Sequence, residues 1–352
     1  MPVATIRRGG QLRDNWDNYA ERFAVAATMY GRSEEWTSAC LAYALSLKKS
    51  CVPVIYDQEH FSRLCGISPV ALDSMVWNKK SYYKRWRIPK KKCGEFRDIC
   101  EPLPSLKQVQ RFIHKSVYKS VPVSGYNFAY ISGRGVKQHA QLHSGRKYVY
   151  AVDIKDFFSS ISPERLFGLN RYLGYSVGLS WLFASLCTFE GGLPQGAPTS
   201  PILSNLISRR LDRRLSQLAR SAGMVYSRYA DDIFFSSSSK NANILKSIGV
   251  IVVAEGFELN HSKTRILTNS RRQIVTGAVV NQRVRVSGNI KKKIRQEVYY
   301  INKHGLLSHI DRRGIERSNY LGHLIGRIGW ALYLDPSDSD LIQWNKEMRA
   351  LT

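Results

Sequence analysis

The sequence predicts an α+β fold in which a small antiparallel sheet is embedded among helices. Three observations predict it. Residues 148–154 (YVYAVDI) form a nearly unbroken apolar run, the pattern of a strand buried on both faces. Residues 225–239 (VYSRYADDIFFSSSS) set two β-branched and aromatic runs on either side of a short Asp-containing segment, the pattern of a hairpin. Elsewhere apolar residues recur at helical spacing, as at Leu106, Val109, Phe112, Ile113 and Val117.

Composition narrows the function classes. The chain has 352 residues, 43% of them hydrophobic, enough for a large core and more than one subdomain. Lys and Arg total 53 against 27 Asp and Glu, a formal net charge of +26. A chain this basic usually has a polyanionic partner, because neutralising phosphates releases counterions. An anionic membrane surface would suit the same charge. No segment, however, approaches the roughly 20 apolar residues of a spanning helix, and MPVATIRRGG has no signal-peptide core. Cys40, Cys51, Cys65, Cys93, Cys100 and Cys187 are scattered without a C-x-x-C pair. That argues against a thiolate metal cluster and for a reduced, cytoplasmic setting.

The elements follow in order. Residues 1–84 read as a mostly helical extension, with Ser33-Glu34-Glu35-Trp36 opening a helix through Leu41, Ala44 and Leu47. Residues 88–106 (IPKKKCGEFRDICEPLPSL) carry two β-like runs around Cys93-Gly94 and predict a basic hairpin. A helix is expected over 105–120, and Pro163-Glu164 opens another. Gly192, Pro194, Gly196 and Pro198 force an irregular loop. Ser200 is then expected as an N-cap with Pro201 at the first helical position. Leu203, Ile207, Leu211, Leu215 and Leu218 mark one face of a single helix that Gly223 ends. Arg209, Arg210, Arg213 and Arg214 lie off that stripe, as a solvated face or as phosphate contacts. A helix over 242–256, a turn and strand over 256–267, two strands around Gly277 and basic helices from 290 onward complete the reading.

Asp231-Asp232 alone has a plain explanation, since Asp is a good turn residue. Asp153 does not. A carboxylate inside a buried apolar strand is costly unless it is paired or bound to a cation. Carboxylates from adjacent strands are what nucleotidyl transfer by two divalent cations requires. One ion activates the attacking 3′-oxygen and the other carries the triphosphate and leaving pyrophosphate, roughly 4 Å apart. Oxygen sites of this kind suit Mg²⁺.

Four blocks, in content and order, resemble the reverse transcriptase family of right-hand polymerases: VDIKDFF (152–158), GLPQGAPTSPILSNL (192–206), YADD (229–232) and LNHSKTR (259–265). Each short motif alone carries a false-positive risk; together and in order they are specific. The resemblance spans about residues 85–340. It implies a right-hand polymerase with an N-terminal extension (1–84), fingers and a palm built on an antiparallel sheet (85–289), and a helical thumb (290–352). The chain's length is expected to leave no room for maturase, endonuclease or RNase H domains beside these parts. Within the family the chain resembles bacterial retron reverse transcriptases, which carry Asn-Ala-x-x-His before the first block and Val-Thr-Gly after the last. Val275-Thr276-Gly277 matches. His139-Ala140-Gln141-Leu142-His143 departs, with His139 where Asn is usual, and this keeps other defence-associated reverse transcriptases as an alternative.

Roles follow from the resemblance residue by residue. Asp153 and Asp231 hold two Mg²⁺ ions, with Mn²⁺ as a substitute; Asp232 is a weaker or more remote ligand, and the Ile154 carbonyl completes one coordination sphere. Phe158 is a steric gate that excludes a ribose 2′-OH. Core packing is its ordinary alternative, since Phe157 is adjacent and only one of the two can face the site. Arg97, with Lys90, Lys91 and Lys92, binds the triphosphate, an Arg fork suiting phosphate oxygens. A solvated turn is the alternative for Lys91 and Lys92. Gln195 and Gly196 lie against the incoming base and template, Gly permitting close backbone approach. Lys263 stabilises or protonates the leaving pyrophosphate. His143 contacts RNA or serves the fold. Thr276 and Gly277 belong to a primer-facing hairpin, and Lys291, Lys292, Lys293 and Arg295 track duplex phosphates.

The implied function is RNA-directed DNA polymerisation from dNTPs on a dedicated structured noncoding RNA that serves as template and primer. The product is an RNA–DNA hybrid joined through a 2′-OH (msDNA), and an effector protein of an antiphage system is the expected protein partner. A polymerase-shaped RNA-binding scaffold is the alternative from another class. The acid cluster argues against it, because unpaired carboxylates beside phosphates are costly to keep.

Overall fold

The computed structural model describes residues 16–89, 94 and 96–352. The chain gathers into two units. One runs through Val123 and includes Phe158–Ile207; the other comprises Ser124–Phe157 and Ser208–Thr352. No helix among the described residues is long and apolar enough to cross a membrane.

The first unit opens with helices Trp16–Met29, Glu34–Lys49, Gln58–Cys65 and Pro69–Trp77. The second of these starts at the expected cap: Ser33 Oγ accepts the Trp36 N–H at 3.1 Å. Glu34 and Glu35 in its first turn and Lys48 and Lys49 in its last complement the helix dipole. The basic hairpin forms, with strand β1 (Tyr83–Pro89) antiparallel to β2 (Phe96–Pro102) and Ile88 opposite Arg97. Its tip residues Lys90, Lys91, Lys92 and Cys93 lie outside the described residues. The helix Pro104–Phe112 does not continue regularly to 120; a π-helical turn, Ile113–Tyr118, follows. The wider turn sends the adjacent Val117 and Tyr118 both into the core, where the Tyr118 hydroxyl donates to Asn170 Oδ1 at 2.7 Å.

The single helix expected after Ser200 is in fact two. Ser200–Ile207 and Arg209–Ser221 are separated at Ser208 (φ −80°, ψ 2°). Ser200 is the first residue of its helix and not a cap, its hydroxyl donating to the Pro194 carbonyl at 2.8 Å. Ser204 Oγ likewise donates back to Pro201 O. Side chains that compete for backbone acceptors weaken a helix where they cluster.

In the second unit, β3 (Tyr148–Asp153), β4 (Val225–Tyr229), β5 (Asp232–Ser237) and β6 (Arg265–Thr268) form an antiparallel sheet in the order β4-β5-β3-β6. Val149, Tyr150 and Val152 of the central strand β3 are all buried, as a two-sided apolar strand requires. A two-stranded ribbon follows, β7 (Ile274–Val275) and β8 (Ala278–Val279). Val149 and Phe234 of the sheet share one core with Val275 and Ala278 of the ribbon. The same core takes Ile294 and Val298 of helix Gly288–His304, Leu324 and Ile328 of Tyr320–Leu334, and Leu341 and Met348 of Ser339–Arg349.

Helix Arg209–Ser221 buries Leu211, Leu215 and Ala219, and with them a charge. Asp212 is wholly buried and ion-paired with the equally buried Arg228 of β4. The pair is bidentate: Arg228 Nε donates to Oδ1 at 2.7 Å and Nη2 to Oδ2 at 2.8 Å. The Tyr226 hydroxyl adds a third donor to Oδ1 at 2.7 Å. Such a pair need not be net stabilising, but removing one partner strands the other charge in the core, at about 3–5 kcal/mol. Asp212→Asn should therefore lower unfolding stability by about that amount in urea denaturation. An unchanged midpoint would mean the buried guanidinium finds another acceptor.

Candidate active site

Backbone geometry brings the three acids together. Asp153 ends β3 directly opposite Asp232, the first residue of β5. Only Ala230 and Asp231 separate β4 from β5. Ala230 sits at φ +56°, a conformation that costs an L residue roughly 1–2 kcal/mol. Arg228 Nη1 holds it there by donating to the Ala230 carbonyl at 2.9 Å. The Asp231 carbonyl in turn accepts the Ile154 N–H at 3.0 Å, and the Asp153 carbonyl accepts the Asn260 N–H at 2.8 Å. The end of β3 is thus clamped between the acidic turn and the LNHSKTR segment.

Charge in the site is unbalanced. The Asp153 side chain is buried, and Lys263 Nζ donates to its two oxygens at 3.1 and 3.0 Å. Burial, then Asp231, then Asp153 push the Asp232 carboxyl up to about 7, against the opposing pull of Lys263 and Arg265. Burial acts to lower the Lys263 ammonium, but its bond to Asp153 and the charges of all three acids outweigh this and raise it. Lys263 therefore feels all three carboxylates while bonding one of them. Oxygen donors crowded in this way suit a hard divalent cation, and the residues fit one. They are not preassembled around it: no group of three acidic, His or Cys side chains among the described residues already surrounds a common metal position. Lys263 stands in for part of the missing positive charge.

The residues expected to bind nucleotide lie in the first unit. Leu193 N–H donates to the Phe158 carbonyl at 3.0 Å, and Cys100 N–H of β2 to the Gln195 carbonyl at 2.7 Å. Gly196 sits at φ +126°, and a Cβ there would meet the Cys100 carbonyl oxygen at 2.9 Å, so glycine is needed for this approach. The loop 192–196 thus joins Phe158 to β2, the strand that carries Arg97, whose side chain is exposed. Of the adjacent pair, Phe157 is buried against Phe257 whereas Phe158 is only half-buried. Lys90 lies outside the described residues.

Two expected nucleic-acid contacts are corrected. His143 is completely buried, its ring nitrogens sharing hydrogen bonds of 2.7 Å with Ser236 Oγ and Ser227 Oγ. With no surface and no spare nitrogen, it joins helix to sheet and cannot touch RNA. Lys291 is bound to Asp338 and Asp340 at 2.7 and 2.8 Å, so its charge is already met. Lys292, Lys293 and Arg295 are exposed on the same helix. Gly277 is exposed and Thr276 half-buried, at φ +47°, its hydroxyl 2.8 Å from the buried His139 Nδ1. The motif reading passed over Asp212 and Arg228, which aim the acidic turn; a lone acid in RRLDRR and an Arg inside a strand were the available signals.

The paired histidines give a pH dependence. Burial lowers His139 to about 3 and holds His143 far down as well. Unfolded histidines titrate near 6.5, so the unfolded chain takes up these protons first, and the stability is complete above about 6.5 and lost as pH falls. Asp232 acts in the opposite sense, its raised folded value giving the native state one extra proton over the same window. Two histidines outweigh one carboxyl, so these three groups together lose about 1.4 kcal/mol per pH unit below 6.5, and burial lowers His60, His114, His309 and His323 in the same sense. The urea midpoint should fall between pH 7.5 and 5.5, and His139→Asn should flatten that fall. A midpoint independent of pH in both proteins would contradict the buried neutral rings.

Residues 88–325 match the family model for reverse transcriptase (RNA-dependent DNA polymerase), a family that generally uses divalent metal ions. The chain is 35% identical over 257 residues to the retron Mx162 reverse transcriptase of Myxococcus xanthus, covering 63% of this chain and 53% of that relative, about half its length. It is 29% identical over 369 residues to the retron Mx65 reverse transcriptase of the same organism, covering 98% and 84%. Against the retron Ec86 reverse transcriptase of Escherichia coli the identity is 29% over 260 residues, covering 72% and 81%. With its four motifs in order and two-thirds of its length matched, the chain belongs to the reverse transcriptase family and is similar to the bacterial retron members.

Proposed function

We propose that the chain copies RNA into DNA by nucleotidyl transfer at Asp153, Asp231 and Asp232. The observation that carries this is the strand register setting Asp153 opposite Asp232 with Asp231 in the adjoining turn, in a chain of net charge +26. Two bound Mg²⁺ ions, or Mn²⁺ in their place, would supply activation of the primer hydroxyl and neutralisation of phosphate charge. The three carboxylates and the Ile154 carbonyl provide the oxygens to hold them. Lys263, half-exposed on a flexible stem, donates to the departing pyrophosphate. Arg97 and Lys90 grip the triphosphate, Gln195 and Gly196 set the base, and Phe158 lies under the sugar. Thr276, Gly277, Lys292, Lys293 and Arg295 face primer and duplex. In this reading 1–84 is an extension, 85–289 fingers and palm, and 290–352 the thumb.

The similarity to retron enzymes supports a dedicated structured noncoding RNA as template and primer, an msDNA product, and a role in cytoplasmic antiphage defence with an effector protein. A defence enzyme that copies another template, or none, is the second reading, favoured by His139 where the retron pattern has Asn. Sequencing the nucleic acid that co-purifies from the native locus separates the two. RNA joined to a short complementary DNA supports the first; DNA without an RNA-encoded template supports the second.

Asp231→Asn with Asp232→Asn should reduce DNA synthesis on the order of 100-fold or more while RNA affinity stays within about twofold. Full synthesis in that variant would remove the acids from the chemistry, and RNA binding with no synthesis in the wild type would favour a scaffold. Phe158→Ala should lower the preference for dNTP over rNTP by on the order of 10- to 100-fold, with dNTP incorporation retained. Unchanged sugar discrimination would assign Phe158 to packing.

A further inference from the structure

Residues 189–192 (FEGG) make a tight turn in the first unit. Phe189 and Gly192 exchange backbone hydrogen bonds, Phe189 N–H to the Gly192 carbonyl at 2.8 Å and Gly192 N–H to the Phe189 carbonyl at 3.2 Å. Both central residues are left-handed, Glu190 at φ +50° and Gly191 at φ +81°, as a two-residue hairpin turn requires. The turn is anchored at each end. The buried Phe189 ring stacks on the Tyr83 ring of β1 with centres 4.2 Å apart, and Leu193 is buried on the other side.

The two glycines of this turn are needed for different reasons. Gly191 serves its left-handed φ, and a Cβ there would meet nothing. Gly192 is not in the left-handed region, so its φ does not call for glycine. Space does. A Cβ on Gly192 would lie 2.6 Å from the Ser159 Cα, 2.8 Å from its carbonyl carbon and nearer still to its carbonyl oxygen. All three are backbone atoms, so no side-chain rotation relieves the contact. Beside it, Leu193 N–H donates to the Phe158 carbonyl at 3.0 Å, and Ile161 N–H shares that carbonyl at 3.2 Å. The anchored turn is thus seated directly on the backbone of residues 158–159. To reach an ordinary contact of about 3.5 Å, a side chain at 192 would displace one of the two partners by nearly an ångström. The turn is held by a buried stacked ring, whereas Ser159 is exposed and Phe158 only half-buried. The 158–159 segment is the side that yields.

We infer that Gly192 is a positioning residue for sugar selection: by admitting the turn onto the Ser159 backbone it fixes where the Phe158 ring stands. The inference rests on the reading of Phe158 as the gate under the sugar and adds the residue that aims it. A gate of this kind acts through a fixed distance, and a displacement of about an ångström is enough to open it to a 2′-OH.

The test is primer extension by the full chain on an RNA template with Mg²⁺, reading kcat/KM for a dNTP and for the matching rNTP. Gly192→Ala should lower the ratio of the two about tenfold. Gly191→Ala strains the same turn without touching Ser159 and should leave the ratio within twofold. A variant that is merely less stable has less active enzyme, which scales both values alike and cancels in the ratio. A shift of Gln195 and Gly196 acts on the base and is likewise common to both sugars. Gly192→Ala combined with Phe158→Ala should give the ratio of Phe158→Ala alone, since a gate already removed cannot be misaimed; full additivity would show that Gly192 acts elsewhere and overturn the inference. If Phe158→Ala relaxes selection and Gly192→Ala does not, the gate stands and the inference is overturned. If Phe158→Ala leaves selection intact, the gate reading fails, and the inference fails as its consequence. No extension by the wild type would sink the polymerase reading as a whole. Should Gly192→Ala not fold, Phe189→Leu decides: loosening the anchor of the turn should lower the ratio about threefold, and an unchanged ratio overturns the inference.

Discussion

One buried guanidinium, that of Arg228, ties together most of what the acidic site needs. Its paired bonds to Asp212 dock helix Arg209–Ser221 onto β4. Its remaining donor fixes the Ala230 carbonyl and so keeps a non-glycine residue in the left-handed region at the point where the chain turns into Asp231. Its carbon lies 5.8 Å from the centre of the Phe157 ring, so it also packs behind the residue that precedes Phe158. A planar fork with five donors can serve three partners in fixed directions, which a lysine could not. The cost of burying the charge is offset by full pairing, and the result is a hairpin turn with little freedom to relax away from the carboxylates.

That rigidity matters because the site is held in electrostatic tension. Three acids crowd together, and burial with the charges of Asp231 and Asp153 makes Asp232 hold its proton to near neutral pH. In water such a cluster would splay apart. Here the strand register prevents it, since Asp153 and Asp232 are opposite partners and Asp231 is bonded through its carbonyl to Ile154. The backbone thus stores a demand for positive charge that the side chains alone do not meet. Backbone placed in advance in this way leaves only side chains to turn when a cation arrives, which keeps the cost of reorganisation small.

What was legible in the sequence follows from range. The hairpin at Asp231, the strand ending at Asp153 and the capped helix at Ser33 rest on local alternation and local bonds, and short windows reveal those. The break at Ser208 was hidden because Leu203, Ile207, Leu211 and Leu215 keep helical phase straight across it. Asp212 was hidden among arginines, where a lone acid reads as part of a solvated face; only its partner on a strand 16 residues away explains it. For His143 a window leaves RNA contact and a role in the fold equally open, because the serine partners that decide for the fold lie 84 and 93 residues distant. The site's acids could be named from motifs, whereas the groups that aim them are set by tertiary contacts no window contains.

The placement of β3 has a consequence for how the chain is made. It is the central strand, yet its neighbours β5 and β6 follow it by about 80 residues or more, with a segment of the other unit in between. At ribosomal rates of about 5–20 residues per second, on the order of ten seconds pass between its emergence and that of its first partner. During that interval an apolar strand with two unpaired edges is in solution, the species most prone to join another nascent chain. The second unit cannot nucleate on its centre and must wait for its C-terminal half, so overexpression at high temperature challenges this protein at synthesis rather than in its finished state.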